Sequence, residues 1–437
     1  MDISADRADG TQPGKGISAV HNEQGGKRAV WAATAGHVME WYDFAVYGFM
    51  ATLLAKTFFP AGDTVTSMLA TFAVFGVGFV MRPVGGIVMG RIADVRGRKT
   101  ALLVTMMLMA ASTAMIGLTP SYASIGIAAP LLVVLARLIQ GFSAGGEWGG
   151  ATAMIVEWAP KGKRGLYGSF QQSSLAIGML LGSAVCALCS SVLTIDTLES
   201  WGWRIPFLLG SLLGPFGLYL RRNLEDAPVY RKAIAKPTRL SKPEGFALAF
   251  RAFGFAIVWN VVYYMMLAFL PNFMQTYAGV PRADALWSNT IGLMVLVLAV
   301  PFMGYLSDKI GRKPLLVAAC MSYIIMPYFL WKYLMSGVGF GAVVLVQTVF
   351  AIAISFFSGP GPATIAEMFP TESRSTWMSL GYSAAAVLFG GFSPFISQYL
   401  IGKTGSPLSP TLFLGCASVI SLVFILRMRE TAHRELD

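Results

Sequence analysis

The chain carries one polar signature twice. GRIADVRGRK occupies residues 90–99, and 214 positions later GYLSDKIGRK occupies residues 304–313; both copies read Gly, three residues, Asp, two residues, Gly, Arg, Lys. A second pair, IVEWAPKGKRG at 155–165 and IAEMFPTESRS at 365–375, keeps a Glu, a Pro and an Arg in register at an offset of 210. The chain is therefore two homologous halves, and each copy is a short polar island between long apolar stretches. Repeats of this kind place a site at the interface of two membrane-embedded units.

Composition bounds the class. Hydrophobic residues make up 55% of the 437 and charged residues 13%, where a soluble domain carries roughly a quarter charged residues. Apolar runs of about 20 residues, enough to cross a hydrocarbon core of ~30 Å, recur twelve times, near 30–55, 66–90, 100–119, 125–156, 165–190, 203–220, 248–275, 285–307, 314–333, 338–360, 377–402 and 408–428. The expected fold is all-α and integral to the membrane, with twelve transmembrane helices in two pseudo-symmetric six-helix bundles. The units are a disordered tail at 1–29, an N-terminal bundle at 30–220, a basic linker at 221–247, a C-terminal bundle at 248–428 and a short tail at 429–437.

Orientation follows from Lys and Arg. With both ends cytoplasmic, inside segments hold 25 of the 33 and outside loops hold five, the asymmetry that sets topology. The same scatter accounts for a net charge of +11 without a nucleic-acid partner. The start of the chain has no apolar segment followed by a cleavage site, so no signal peptide is expected. The four cysteines lie inside spans and read as small buried hydrophobes. Three histidines, His21, His37 and His433, and scattered cysteines supply neither a metal cluster nor a nucleophile, so no cofactor, no metal and no enzymatic activity are expected.

The doubled motif resembles the major facilitator superfamily. GHVMEWYDFAVYG (36–48), MRPVGG (81–86), ARLIQGFSAGGEWGG (136–150), WGWRIPF (201–207) and AEMFP (366–370) are similar to its metabolite:proton symporter branch. That branch imports citrate, 2-oxoglutarate, shikimate, aromatic dicarboxylates, proline and betaines. The resemblance implies proton-driven uptake of a small molecule across a bacterial inner membrane by a monomer working by alternating access. A channel or facilitator would need no buried titratable pair, and a proton-coupled exporter is disfavoured because the fifth span lacks a Gly-Pro pattern.

Ionisable groups inside a bilayer cost about 2.5 to 3.5 kcal/mol each and are functional candidates by default. Span 1 has Glu40 and Asp43, span 2 has Arg82, and span 4 has Arg137 and Glu147. At about 100° per residue, His37, Glu40, Asp43 and Tyr47 share one face of span 1. The second half has no counterpart, since the 210 offset puts Gln347 opposite Arg137 and Phe357 opposite Glu147. Asp43 and Arg137 form the best proton-coupling pair, and a static buried ion pair is the alternative. In sugar:proton symporters of the superfamily, a first-span Asp and a fourth-span Arg play this part. Glu40 and Glu147 are the other candidate proton groups; Glu147 sits among overlapping small-residue spacings at Gly141, Gly145 and Gly149. Arg82 either reaches the central cavity or snorkels to the surface.

The repeated loops read as gates. Asp94 and Asp308 can cap a neighbouring helix, and Arg98, Arg164, Arg312 and Arg374 can bind Glu157 or Glu367. Substrate candidates by position are Arg82, His37, Tyr47, Trp148, Gln171, Gln172, Asn260, Tyr263, Tyr264 and Tyr382. An organic acid such as citrate suits the buried arginines, and ATLLAKTFFP and FAVFGVGF look like citrate-type members. The alternative is proline or a betaine: WNVVYYMMLAFLP in span 7 looks like those members, and aromatic faces suit a quaternary ammonium. The brief tail without coiled-coil heptads disfavours osmotic control.

Overall fold

The computed structural model describes residues 34, 37–96, 98–145, 147–221, 241–370 and 374–432. The side chains of Asp94, Arg98 and Glu147, the first tail and most of the expected linker lie outside the described residues. All the described regular structure is helical. Eight described helices are long and apolar enough to cross a membrane, and two further apolar helices, Leu103–Leu118 and Ala128–Ala144, are shorter.

Numbered in chain order, span 1 covers residues 37–58, with a turn at Met50. Span 2 is Thr64–Val80 continued by Arg82–Arg96, and span 3 is Arg98–Leu118. Span 4 is Ala128–Ala144 continued by Glu147–Trp158, span 5 is Arg164–Val192, and span 6 is Arg204–Arg221. In the second half, span 7 runs Lys242–Tyr264, Met265–Phe269 and Leu270–Tyr277, span 8 Arg282–Ile310, and span 9 Arg312–Leu334. Span 10 is Phe340–Ser358 with Gly361–Glu367, span 11 is Arg374–Ala385, Ala386–Gly391 and Ser393–Thr404, and span 12 is Ser409–Arg427.

Several spans are interrupted where one apolar run looked continuous in the sequence, and the causes are local. Pro83 brings no N–H and crowds the preceding residue, and the helix breaks at Met81. Span 4 breaks after Ala144 and span 10 at Gly359–Pro360, within about one helical turn of each other at the 210 offset of these spans. Spans 7 and 11 each contain a π-helical turn, Met265–Phe269 and Ala386–Gly391, immediately beyond Tyr264 and a few residues beyond Tyr382. Such turns re-aim neighbouring side chains and cluster at functional sites. The second copy of the repeated motif needs its glycine: Gly311 ends span 8 with φ +100°, a region closed to residues with a Cβ.

Without a hydrophobic force between helices in lipid, close backbone approach does the packing. A Cβ on Gly141 would sit on the Gly78 carbonyl oxygen, one on Gly85 on the Phe142 carbonyl, and one on Gly145 on the Arg82 carbonyl. Spans 2 and 4 therefore touch backbone to backbone beside Arg82 and Arg137. Spans 5 and 8 form the longest seam between the halves. It is tight near Gly165 and Gly304 and hydrogen-bonded at its other end, where Asn289 Nδ2 and Thr290 Oγ1 both reach Ser183 Oγ, at 3.1 and 2.9 Å.

Gly141→Ala must displace span 2 from span 4 at a cost of about 1 to 3 kcal/mol, whereas Gly415→Ala enters open space. Melting of the purified proteins should fall clearly for the first and stay at the parent value for the second; equal melting temperatures would refute the backbone contact.

Candidate functional site

Span 1 turns His37, Glu40, Asp43 and Tyr47 inward, and all four are buried. Asp43 and Arg137 are not in direct contact. Asp43 Oδ2 accepts from Thr113 Oγ1 at 2.8 Å, Thr113 accepts from Gln140 Nε2 at 2.9 Å, and Gln140 Oε1 accepts from Arg137 Nη1 at 2.8 Å. Two uncharged side chains thus link the acid to the guanidinium. Arg137 also donates from Nη2 to the Phe75 carbonyl at 3.3 Å and lies over the rings of Phe44, Tyr47 and Phe75, 4.5 to 5.1 Å from their centroids. Gly78 makes room for it, since a Cβ there would stand 3.3 Å from Arg137 Nε. Tyr47 donates to the Thr71 carbonyl at 3.2 Å.

Arg82 is the partner of Glu40. Its Nη2 lies 3.4 Å from Glu40 Oε1, and its guanidinium is 4.3, 4.9 and 5.6 Å from the centroids of Phe79, Phe44 and Trp41. It is 5% exposed, so it points into the protein and does not snorkel.

Aromatic side chains from both halves meet beside this cluster. Trp148 of span 4 stacks flat on Tyr382 of span 11, with centroids 3.5 Å apart and planes within 4°. Trp259 of span 7 meets both edge-on, at 6.0 and 5.7 Å. Tyr264 packs against Trp41, Phe75 and Phe79. Trp148 Nε1, Gln171 Oε1 and both amide atoms of Gln172 are buried without a hydrogen-bond partner in the protein, which marks them for water or a ligand. Gln171 Nε2 lies 3.5 Å from His37 Nε2. Tyr263 is buried on the same helix. Asn260 donates back to the Ala256 carbonyl of its own helix at 2.9 Å.

The repeated loops make a charged seam at one end, here called the gate end. Asp308 accepts from the Gly165 and Leu166 amides that open span 5, at 2.8 and 2.9 Å. Arg312 holds Asp308 at 2.7 Å and Glu367 at 3.3 Å, and Arg164 reaches Glu367 at 3.8 Å. Arg374 donates to Glu157 at 2.8 Å. A brace absent from the candidate residues joins in: Glu430 accepts from the Arg312 and Lys313 amides at 2.9 and 3.0 Å, and Thr431 donates to Glu367 at 2.6 Å. Burial pushes the Glu430 carboxyl up, but backbone N–H groups of Arg312, Lys313, Ala432 and Thr431 outweigh it and hold the group below its usual range. Its contribution is therefore present above the ordinary carboxylate range and is lost as pH falls through the lowered value. The far end is bridged by mostly neutral contacts: Asn272 donates to the Gly48 carbonyl at 2.8 Å, and Arg282 to Thr52 Oγ1.

Residues 29–242 match the family described as sugar (and other) transporter, and residues 261–437 match the major facilitator superfamily. The glycine betaine/proline/ectoine/pipecolic acid transporter OusA of Dickeya dadantii is 35% identical over 94% of this chain and 84% of its own. This chain belongs to the major facilitator superfamily. The proline/betaine transporter of Escherichia coli is 34% identical to this superfamily member over 94% of the chain and 85% of its own. The citrate-proton symporter of Klebsiella pneumoniae is 35% identical over 91% of each. A partially occluded inward-open structure of the xylose transporter XylE from E. coli aligns with TM-score 0.76 over 94% of the chain and 99% of its own, at 18% identity; this likeness is one of fold. The protein is accordingly a multi-pass membrane transporter of the bacterial inner membrane and not an enzyme, with the twelve-helix fold of the superfamily.

Asp308→Asn leaves only one oxygen for the two span 5 amides and removes the charge facing Arg312. Charge-assisted bonds contribute about 1.5 to 3 kcal/mol, so the gate end should open roughly ten-fold more often. Spin labels at the exposed Lys163 and Lys309 should report a longer-distance population; an unchanged distribution would show that Asp308 does not hold the seam.

Proposed function

We propose that the protein is a proton-coupled symporter of a zwitterionic solute of the proline or betaine kind, working by alternating access. The observation that carries this reading is charge balance beside an aromatic box. Arg82 faces Glu40 and Arg137 is linked to Asp43, so the two guanidiniums of the central cluster are balanced, while Arg282 lies apart at the far end on Thr52. A zwitterion brings one carboxylate and one positive nitrogen, and Trp148, Trp259, Tyr264 and Tyr382 supply ring faces for the latter. Most of the relatives compared bear names of proline and betaine transporters, which favours this second substrate reading over the organic-acid one. A citrate-type substrate keeps the support of the Klebsiella relative.

In this reading Asp43 carries the proton. As a carboxylate it accepts from Thr113; once protonated it becomes a donor, and turning Thr113 and Gln140 to suit breaks the link to Arg137, whose guanidinium can only donate. Arg137 then exchanges its partners, and spans 1, 2 and 4, packed around it, change their fit. Glu40 and Glu147 are the remaining acids, and Arg82, His37, Tyr47, Gln171, Gln172, Asn260 and Tyr263 complete the substrate cavity. Asp94, Arg98, Glu157, Arg164, Asp308, Arg312, Glu367 and Arg374 close the gate end. That end is cytoplasmic, as are both termini. The protein acts as a monomer of two bundles joined by a linker that is shorter than the expected 221–247, since span 7 already begins at Lys242.

Glycine betaine and proline should raise the melting temperature of the purified protein, as saturation a hundred-fold above Kd adds about 2.7 kcal/mol, and citrate should not; Trp148→Ala should abolish the shift. Stabilisation by citrate alone would transfer the substrate to the organic-acid class.

Asp43→Asn should abolish accumulation of labelled solute under a proton gradient while solute counterflow in proteoliposomes persists. Arg137→Ala should damage both. Accumulation by the Asp43→Asn protein would pass the proton role to Glu40 or Glu147.

A further inference from the structure

A cavity of about 30 Å³ lies wholly inside the first half, between spans 1, 3, 4 and 6, lined by Glu40, Asp43, Thr105, Ala110, Ser143 and Gly210 among others. None of its lining residues belongs to the second half, so it is distinct from the aromatic box and from the seam. One water needs roughly 10 to 15 Å³ of such space and two to four polar partners. Partners are present. Asp43 Oδ1 is buried with no hydrogen-bond partner in the protein and faces the bare Cα of Gly210, where a Cβ would stand 2.6 Å from it. Glu40, Thr105 and Ser143 line the same space, and the Ser143 hydroxyl is turned to the Thr105 carbonyl.

The cavity also has a direction. Asp43 is bonded at the level of Thr113 on span 3, and Thr105 lies eight residues nearer the gate end, about 12 Å along a helix. Only seven residues, about 10 Å, separate Thr105 from the start of that helix at Arg98. Around Asp43, span 3 presents Thr113, span 4 presents Gln140 with Arg137 behind it, Glu40 on the same helix is bound to Arg82, and span 6 presents the bare Cα of Gly210; Met39, Met106 and Met109 form the flexible apolar side of the cavity.

We propose that this cavity is a hydrated proton path from Asp43 toward the gate end, running inside the N-terminal bundle and separate from the route of the solute. The inference rests on the reading that Asp43 carries the coupled proton. Water between Asp43 Oδ1, Glu40 and the Thr105 and Ser143 hydroxyls passes the proton along hydrogen bonds, and Asp43 loses it as a proton to that water, with no other bond made or broken. The seam between the halves need not be open for this, so proton release and solute release are separable steps.

Infrared spectroscopy on the full-length protein in lipid tests this without a substrate. The carboxyl band of Asp43 is identified as the one lost in Asp43→Asn, and its hydrogen–deuterium exchange is timed after transfer to deuterium oxide. Thr105→Val removes a hydroxyl at constant volume, and Ala110→Val fills the cavity from span 3; each should slow exchange at least ten-fold. Two independent variants guard against misfolding of either, and retention of the parent melting temperature qualifies each one. Exchange at the parent rate in both variants would show that the proton leaves through the central cavity, and the path would be wrong while the role of Asp43 stood. If no carboxyl band distinguishes Asp43→Asn from the parent at any pH the protein survives, the proton role of Asp43 and the path fall together.

Discussion

Burying Arg137 governs the design of the first half. Its side chain is fully buried, and taking a guanidinium out of water costs several kcal/mol unless its donors and charge are met. Among the described residues no carboxylate touches it. Gln140 and the Phe75 carbonyl take two donors, and three ring faces surround the cation. That solution dictates its neighbours: glycine at 78 for space, glycine at 141 so that spans 2 and 4 meet backbone to backbone, and a Thr–Gln link to Asp43. A direct ion pair would lock the acid and the cation together. A link of two neutral side chains keeps them connected through hydrogen bonds without that contact.

The halves share scaffold and diverge in chemistry. Spans 4 and 10 are both interrupted, within about a turn of each other at the 210 offset, and the repeated motif places Asp308 and Arg312 in the second half. The described buried acids and cations of the bundle interior lie in the first half. The second half supplies Trp259, Tyr264 and Tyr382, which face the first across the interface. The site is therefore a charged wall opposed to an aromatic one, joined by the Trp148–Tyr382 stack.

Much of this was legible in the sequence because it depends on local spacing or on duplication. The doubled motif announced the two halves and the gate; the 3.6-residue period placed His37, Glu40, Asp43 and Tyr47 on one face. What a single chain does not encode legibly is register between helices. Thr113 and Gln140 look like any hydroxyl and amide in a span, and only the packing of spans 1, 3 and 4 turns them into the link. Arg82 was ambiguous for the same reason: its reach is clear from one helix, but its partner is on another. The breaks at Met81 and at Gly359–Pro360 lie inside apolar runs that read as continuous, and the interruption near Gly145 carries no proline. Asp94, Arg98, Glu147 and residues 222–240 of the expected linker have no described side chains and stay with the sequence reading, while residues 242–247 belong to span 7.

The two ends of the interface differ in the groups that hold them. At the gate end a carboxylate caps two amides of span 5, Arg374 holds Glu157, and Arg164 and Arg312 share Glu367. Charge-assisted bonds contribute about 1.5 to 3 kcal/mol where neutral ones contribute about 1. At the far end the contacts between spans 1 and 7 are an amide on a carbonyl and a long hydroxyl–amide pair at 3.5 Å. Arg282 on Thr52 and the Asn289 and Thr290 bonds to Ser183 also join the halves away from the gate end, so the ends differ in kind: among the described residues, carboxylates join the halves at the gate end and not at the far end. Opening the gate end therefore parts ion pairs and uncaps span 5, whereas opening the far end parts neutral groups and one guanidinium–hydroxyl bond.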